Sequence, residues 1–296
     1  MKKMYQNPIA KNGDFADPFI IKYNGVFYLY ATNPNVKCWS SIDLLEWKEE
    51  GEVIGEEVFS KLVPFAPEVV YWNGYFYMYT SPSGHGHYVL RSNSPIGPFE
   101  KITDNIGHSI DGSVFIDDDD QWYFYWADDH GIKGCKMDNP YTLRGEYLTK
   151  AYMDGWTEGP FIIKRNGYYY MTYTGNHYLS KGYRINSAIS SHPLEGFTPD
   201  LENPILVNTE GCGVGLGHSC SIIGPDLKTY YLVYHNLNPD ASRDLNIDTI
   251  GWVGNKMIVF GPTSGYMKAP SLPQYFDFCN HEDSLQSWDV LQGNIR

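Results

Sequence analysis

The sequence has no CxxC pair, no cluster of Lys and Arg, no long apolar run and no capped helical periodicity. Each absence closes off a class of protein. The five cysteines, Cys38, Cys135, Cys212, Cys220 and Cys279, lack metal-ligand spacing, and an odd number cannot all pair within one chain. They read as reduced, structural thiols. A net charge of −13 provides no basic patch for nucleic acid or an anionic membrane. No stretch approaches the ~20 apolar residues of a membrane span. The opening MKKMYQNPIA has lysines but no apolar segment behind them, so no signal peptide is visible. The expectation is a soluble cytoplasmic protein, or a secreted or periplasmic one if a leader has been removed.

What is abundant points to β-structure. Tyrosine occurs 25 times in 296 residues, and aromatics make up 16% of the chain. Such residues suit pleated surfaces. The 29 glycines and 18 prolines suit many tight turns.

Five segments share one layout: a polar residue, a short apolar strand, a turn and a very aromatic strand. They are ADPFIIKYNGVFYLYAT (16–32), PEVVYWNGYFYMYTS (67–81), IDGSVFIDDDDQWYFYWA (110–127), TEGPFIIKRNGYYYMTYTG (157–175) and GHSCSIIGPDLKTYYLVYH (217–235). Three turn on Asn-Gly, at Asn24-Gly25, Asn73-Gly74 and Asn166-Gly167, the pair that supplies the positive φ angles of a type I′ hairpin. The other two turn in the run Asp117–Asp120 and around Pro225-Asp226. The leading polar residues, Asp17, Glu68, Asp111, Glu158 and His218, are 51, 43, 47 and 60 residues apart. That spacing matches four-stranded propeller blades of ~40–50 residues. YVLRSNS (88–94) and INSAISS (185–191) supply further strands. An all-β, five-bladed β-propeller over residues 1–275 is therefore predicted.

In a propeller the inner strand of each blade lines a central channel, so the five leading residues are expected as one ring at its mouth. Carboxylates held close together cannot all ionise with ordinary pKa values. Two of them flanking a ligand form a general acid and a general base, the machinery of glycoside hydrolysis. The surplus of Tyr and Trp near the mouth would suit a neutral, polyhydroxylated ligand.

The segments NPIAKNGDFADPFI, SIDGSVFIDDD, TEGPFIIKRNGYYYMTYTGN and GLGHSCSIIGPD closely resemble the signature segments of glycoside hydrolase family 43. WSSIDLLEW (39–47) and LRSNSPIGPFE (90–100) look like that family's inter-blade connections. The resemblance runs in order from about Asn7 to about Pro273. It implies a five-bladed propeller and an inverting reaction on a neutral oligo- or polysaccharide, with no organic cofactor. It also implies roles by position. Asp17 matches the general base, Asp111 the residue that tunes the acid's pKa, and Glu158 the general acid. His218 matches a channel histidine that in many members lies beside a bound Ca²⁺ or its waters. Arg243 looks like the arginine that contacts the sugar. Inversion would set the Asp17 and Glu158 carboxyls roughly 6.5–9.5 Å apart, against about 5–5.5 Å in a retaining site.

Further residues are weaker candidates. Phe65 and Trp156, each just before an inner-strand motif, and His177, after the fourth aromatic strand, are expected to contact sugar. Glu68 is expected to line or support the pocket. Asp117–Asp120 reads as a solvated hairpin turn, and His85 and His87 as a loop at the pocket rim. Residues 276–296, FDFCNHEDSLQSWDVLQGNIR, resemble the opening of an accessory β-sandwich and read as linker.

The expected activity is exo-action on pentose-containing plant saccharides, as an α-L-arabinofuranosidase or β-xylosidase. Endo-arabinanase and β-galactosidase specificities share the fold. A retaining fructan-processing hydrolase would need NDPNG-like, RDP and Glu-Cys segments, none of which is present. A non-catalytic carbohydrate-binding propeller would have no use for three acids.

Overall fold

The computed structural model describes residues 3–55, 63–108, 110–211 and 213–272. The expected sandwich-like segment 276–296, Cys212 and Cys279 lie outside the described residues. Among those described there are no helices, so none is long and apolar enough to cross a membrane.

Five antiparallel four-stranded sheets follow one another along the chain. Their inner strands are Ala16–Tyr23, Pro64–Trp72, Ser113–Ile116, Thr157–Arg165 and Val214–Ile223 in blades I to V. Successive inner strands pack side by side, and that of blade V returns to that of blade I, closing the ring. The predicted five-bladed propeller is the observed fold. Near the termini, Met4–Tyr5 pairs with Met267–Lys268, and Ile9 N donates to Leu245 O of blade V at 2.8 Å. The N-terminal segment is thereby tied to the last blade.

The hairpins form where the sequence places them. Asn24, Asn73 and Asn166 have φ of 48°, 49° and 52°, and the glycine after each is also left-handed. Each pair thus takes the I′ geometry that matches strand twist. The second strands, among them Val26–Thr32 and Trp122–Asp128, are sandwiched between blades and so are apolar on both faces. Cys38, Cys135 and Cys220 are buried, free thiols in this core.

Much of the tyrosine surplus serves the packing between blades rather than the channel mouth. Tyr30, Tyr79 and Tyr125 occupy equivalent second-strand positions and are fully buried. Their hydroxyls donate to the carbonyls of Pro95, Pro140 and Pro193 at 2.6, 2.5 and 2.7 Å. Each bond reaches from one blade into the turn before the outer strand of the next. A buried hydroxyl must find an acceptor, and this one fastens neighbouring sheets.

Candidate active site

The inner strands of blades I, II, IV and V break register at an equivalent place, and blade V breaks a second time between Val214 and Gly217. The equivalent breaks fall between Ala16 and Phe19, Phe65 and Glu68, Glu158 and Phe161, and Gly217 and Cys220. One residue in each is left-handed: Asp17 at 52°, Ala66 at 45°, Gly159 at 55° and His218 at 42°. In blade III the left-handed residue is Asp111, at 63°, just ahead of the strand. A bulge with one left-handed residue bends the strand and redirects side chains, and such bulges recur beside active sites.

The expected ring is thereby corrected. Asp17, Asp111 and His218 share the left-handed position, which Ala66 and Gly159 fill in blades II and IV. Glu158 sits one residue before it and Glu68 two after. An extra residue at the bulge shifts every facing by one, so position from the strand start does not determine direction.

The bulge amides are held by a repeated bond to the preceding blade. Ala66 N donates to Thr32 Oγ1 at 2.8 Å, His218 N to Thr174 Oγ1 at 3.0 Å, and Asp17 N to His235 Nδ1 at 3.1 Å. Thr32, Thr174 and His235 occupy the same second-strand position, opposite Ala16, Glu158 and Gly217. Blade III has Ala127 there, which can accept nothing from a side chain. Gly159 N instead donates to Asp111 Oδ2 at 2.9 Å.

Asp17, Asp111 and Glu158 line one cavity of about 310 Å³ with Phe65, Ile110, Tyr178, Tyr183, His218 and Arg243. That is the low end of the usual size of small-molecule sites. Larger clefts, of about 370 Å³ beside blade V and about 620 Å³ at the opposite end of the channel, lack such a carboxylate set.

The three acids differ in surroundings. Asp17 is part-exposed and accepts the Thr32 hydroxyl at 2.7 Å. Burial raises its pKa, but the neighbouring His218 and His235, the Thr32 bond and Arg243 outweigh that, so the carboxyl is held below its ordinary range. Asp111 is almost wholly buried, and burial together with the Asp17 charge pushes it up to about 8, against the pull of the Gly159 amide. Glu158 is pushed up to about 7 by burial and by Asp111, with Tyr183, Trp156 and His218 opposing. His218 Nδ1 stands between two of these acids, 3.4 Å from Asp17 and 3.5 Å from Asp111. The site therefore holds one acid ready to accept a proton and another that keeps its proton toward neutrality.

Of the expected sugar contacts, Phe65 and Arg243 line the cavity. Arg243 Nε is buried without a hydrogen-bond partner, and its guanidinium lies 5.4 Å from the Tyr178 ring. Trp156 is exposed beside the cavity and its indole N–H donates to Glu158 Oε2. His177 is exposed and does not line the cavity; its ring stacks on Tyr178, which does, at 4.7 Å. Glu68 is buried and accepts Val114 N at 3.3 Å, supporting blade III.

Two expectations fail at one residue each: Asp118, Asp119, Asp120 and His85 are exposed, but Asp117 and His87 are buried. Asp117 is not a solvated turn residue: it is buried, binds Lys164 and accepts the Tyr169 hydroxyl at 2.5 Å, joining blades III and IV. His87 is not at the rim but fully buried beneath Asp111-Gly112, where a Cβ on Gly112 would come within 2.7 Å of its ring.

Calcium takes six to eight oxygen ligands. His218 offers nitrogen, already shared between two carboxylates, and among the described residues no three His, Cys, Asp or Glu side chains converge as metal ligands. These donors do not fit a direct calcium site.

Tyr183, Thr32, His235 and Tyr178 were not singled out by sequence. Aligning the triplets YAT, TYT and VYH of the aromatic strands would have picked out Thr32, Thr174 and His235.

The family model described as Glycosyl hydrolases family 43 matches residues 5–257. A β-D-galactofuranosidase of Aspergillus niger is 25% identical, covering 82% of this chain and 80% of the relative. An extracellular exo-α-(1→5)-L-arabinofuranosidase of Cellvibrio japonicus is also 25% identical, with 83% and 86% covered. The crystal structure of a thermostable family-43 glycoside hydrolase superposes with a TM-score of 0.83 at 30% identity, covering 90% of this chain and 99% of that one.

Proposed function

The chain belongs to glycosyl hydrolases family 43, and from that premise we propose an inverting, exo-acting glycosidase that releases terminal pentose units. The carrying observation is the opposite displacement of two carboxyls in one cavity: Asp17 is held low and Glu158 is pushed up to about 7.

In this reading Asp17 takes a proton from water as the oxygen attacks the anomeric carbon. Glu158 gives its proton to the departing glycosidic oxygen as that bond breaks. Asp111 keeps Glu158 protonated toward neutrality and, through the Gly159 amide, fixes the segment that carries it. The spent proton on Asp17 and the lost one on Glu158 are exchanged through solvent between turnovers. Arg243, with its unpaired Nε, is suited to hold a sugar oxygen, and Phe65 offers an apolar wall.

A cavity of about 310 Å³ suits a chain end better than a polymer crossing the face. The substrate in this reading is an α-L-arabinofuranosyl or β-D-xylosyl terminus. The Aspergillus niger relative favours a second reading, a β-D-galactofuranosyl terminus. A panel of aryl arabinofuranosides, xylosides and galactofuranosides tests this. Turnover of one class is expected; turnover of none, with hydrolysis of internal bonds in a polymer, would overturn exo-action.

A further inference from the structure

The two oxygens of Glu158 face different partners. Oε1 accepts the Tyr183 hydroxyl at 2.5 Å, and Oε2 accepts the Trp156 indole N–H. An indole N–H can only donate, whereas a tyrosine hydroxyl can donate or accept. In a protonated carboxyl the carbonyl oxygen accepts better than the hydroxyl oxygen, so the Trp156 N–H favours Oε2 as the carbonyl oxygen. The hydrogen then belongs on Oε1, with the Tyr183 hydroxyl turned to accept it. Tyr183 and Glu158 both line the cavity.

The ring of Tyr183 is not free to move. It is 1% exposed and lies parallel to His235, with centroids 5.9 Å apart and planes at 11°. On another side it presses on Gly217, where an added Cβ would fall 2.0 Å from Tyr183 Cε1. His235 in turn accepts the Asp17 amide, so one buried ring pair joins the segments bearing Asp17 and Glu158. Only the hydroxyl hydrogen of Tyr183 can turn.

We propose that Tyr183 is a positioning residue whose hydroxyl follows the proton of Glu158, accepting from the acid before transfer and donating to the carboxylate afterwards. The Oε1–H bond breaks, the hydrogen joins the glycosidic oxygen, and the C–O bond to the leaving group breaks. Tyr183 keeps its own hydrogen throughout and rotates it onto the new charge. That donation exists only once charge has developed on Glu158, so it favours the transition state over the ground state. The groups facing Glu158 are Asp111, His218, Trp156 and Tyr183. Removal of the Tyr183 donor leaves the carboxylate less stabilised, which raises the acid's pKa.

The proposal rests on Glu158 being the general acid, and Tyr183→Phe tests it beside Glu158→Gln. Phenylalanine keeps the contacts with His235 and Gly217. In the Tyr183→Phe protein the basic limb of the kcat/KM pH profile is expected at higher pH. Turnover of a methyl glycoside should fall about tenfold or more, while a dinitrophenyl glycoside changes less than about twofold. An unmoved limb, or equal losses on both substrates, would overturn the role of Tyr183. If Glu158→Gln itself loses both substrates equally, the acid assignment is what fails. Should Tyr183→Phe not fold, the Cζ carbon resonance of Tyr183 in the unaltered protein decides. It should titrate along the same limb, and a flat resonance rejects the proposal.

Discussion

Asp111 accepts the backbone N–H of Gly159 at 2.9 Å, which ties the residue after Glu158 to the neighbouring carboxylate. The same carboxylate raises the pKa of Glu158 through space. Asp111 and Glu158 titrate as an interacting pair, and Asp111→Asn removes the partner whose ionisation opposes that of Glu158 while keeping an acceptor for the amide. The acid then loses its proton earlier, so the basic limb of the pH profile moves to lower pH, opposite to its shift in Tyr183→Phe. A profile that only drops in height, without moving, would leave Asp111 a purely structural role.

Glu158→Ala and Asp17→Ala separate acid from base. Without Glu158, natural glycosides lose most of their turnover, by about two to four orders of magnitude. Aryl substrates whose leaving group needs no proton retain far more. Without Asp17, both kinds are lost, because each needs the attacking water. Steady-state kinetics on a matched substrate pair checks this, and appreciable Asp17→Ala activity on either removes Asp17 as base.

The stereochemical course is read by NMR during the first turnovers. A displacement by water, with Asp17 as base and no sugar bonded to the protein, yields product of inverted anomeric configuration first. The starting configuration appears only later, by mutarotation. Product formed first with retention would require one of these carboxylates to be a nucleophile.

The fold was legible because each blade repeats the same local chemistry. Asn24-Gly25, Asn73-Gly74 and Asn166-Gly167 announce their turns, and the aromatic strand after each marks the sheet buried on both faces. Asp17, Asp111 and Glu158 were legible as a group because every inner strand opens at the same mouth. Their exact facing was not, since the bulge at Asp17 and Gly159 inserts a residue that no periodicity reveals. Tyr183 was invisible for another reason. It approaches Glu158 from the third-strand side of blade IV, and nothing in the sequence near Glu158 marks that approach. Asp117 and His87 were misread because a polar residue in a turn or loop reads as exposed until its partner, Lys164 or Gly107, is placed beside it.

Gly217 tests the packing behind the acid. A methyl group there would overlap the Tyr183 ring, whose Cε1 lies 2.0 Å from the added Cβ. The ring is wedged against His235 and has no empty space to enter. Gly217→Ala should therefore cost about 1–3 kcal/mol of stability, measured by denaturant unfolding. It should also slow substrates with poor leaving groups more than those with good ones. An unchanged unfolding midpoint would mean that the ring is not so confined.

Glu158 and Asp111 also set how stability depends on pH. Their carboxyls are pushed up to about 7 and about 8 in the folded chain, against about 4 when unfolded. Between those values the folded protein binds more protons than the unfolded one, so stability falls as pH rises, by at most about 1.4 kcal/mol per pH unit for each group. Below about pH 4 both states are protonated and the contribution is fully present. Asp17, held low, acts in the opposite sense but only at acidic pH. Glutamine at position 158 mimics the protonated acid at every pH, accepting from Trp156 and donating to Tyr183. The melting midpoint of Glu158→Gln should therefore fall less than that of the unaltered protein between pH 5 and pH 8, crossing above it at the alkaline end. Parallel curves would show that Glu158 folds without holding its proton, and the acid of the proposed mechanism would lose its physical basis.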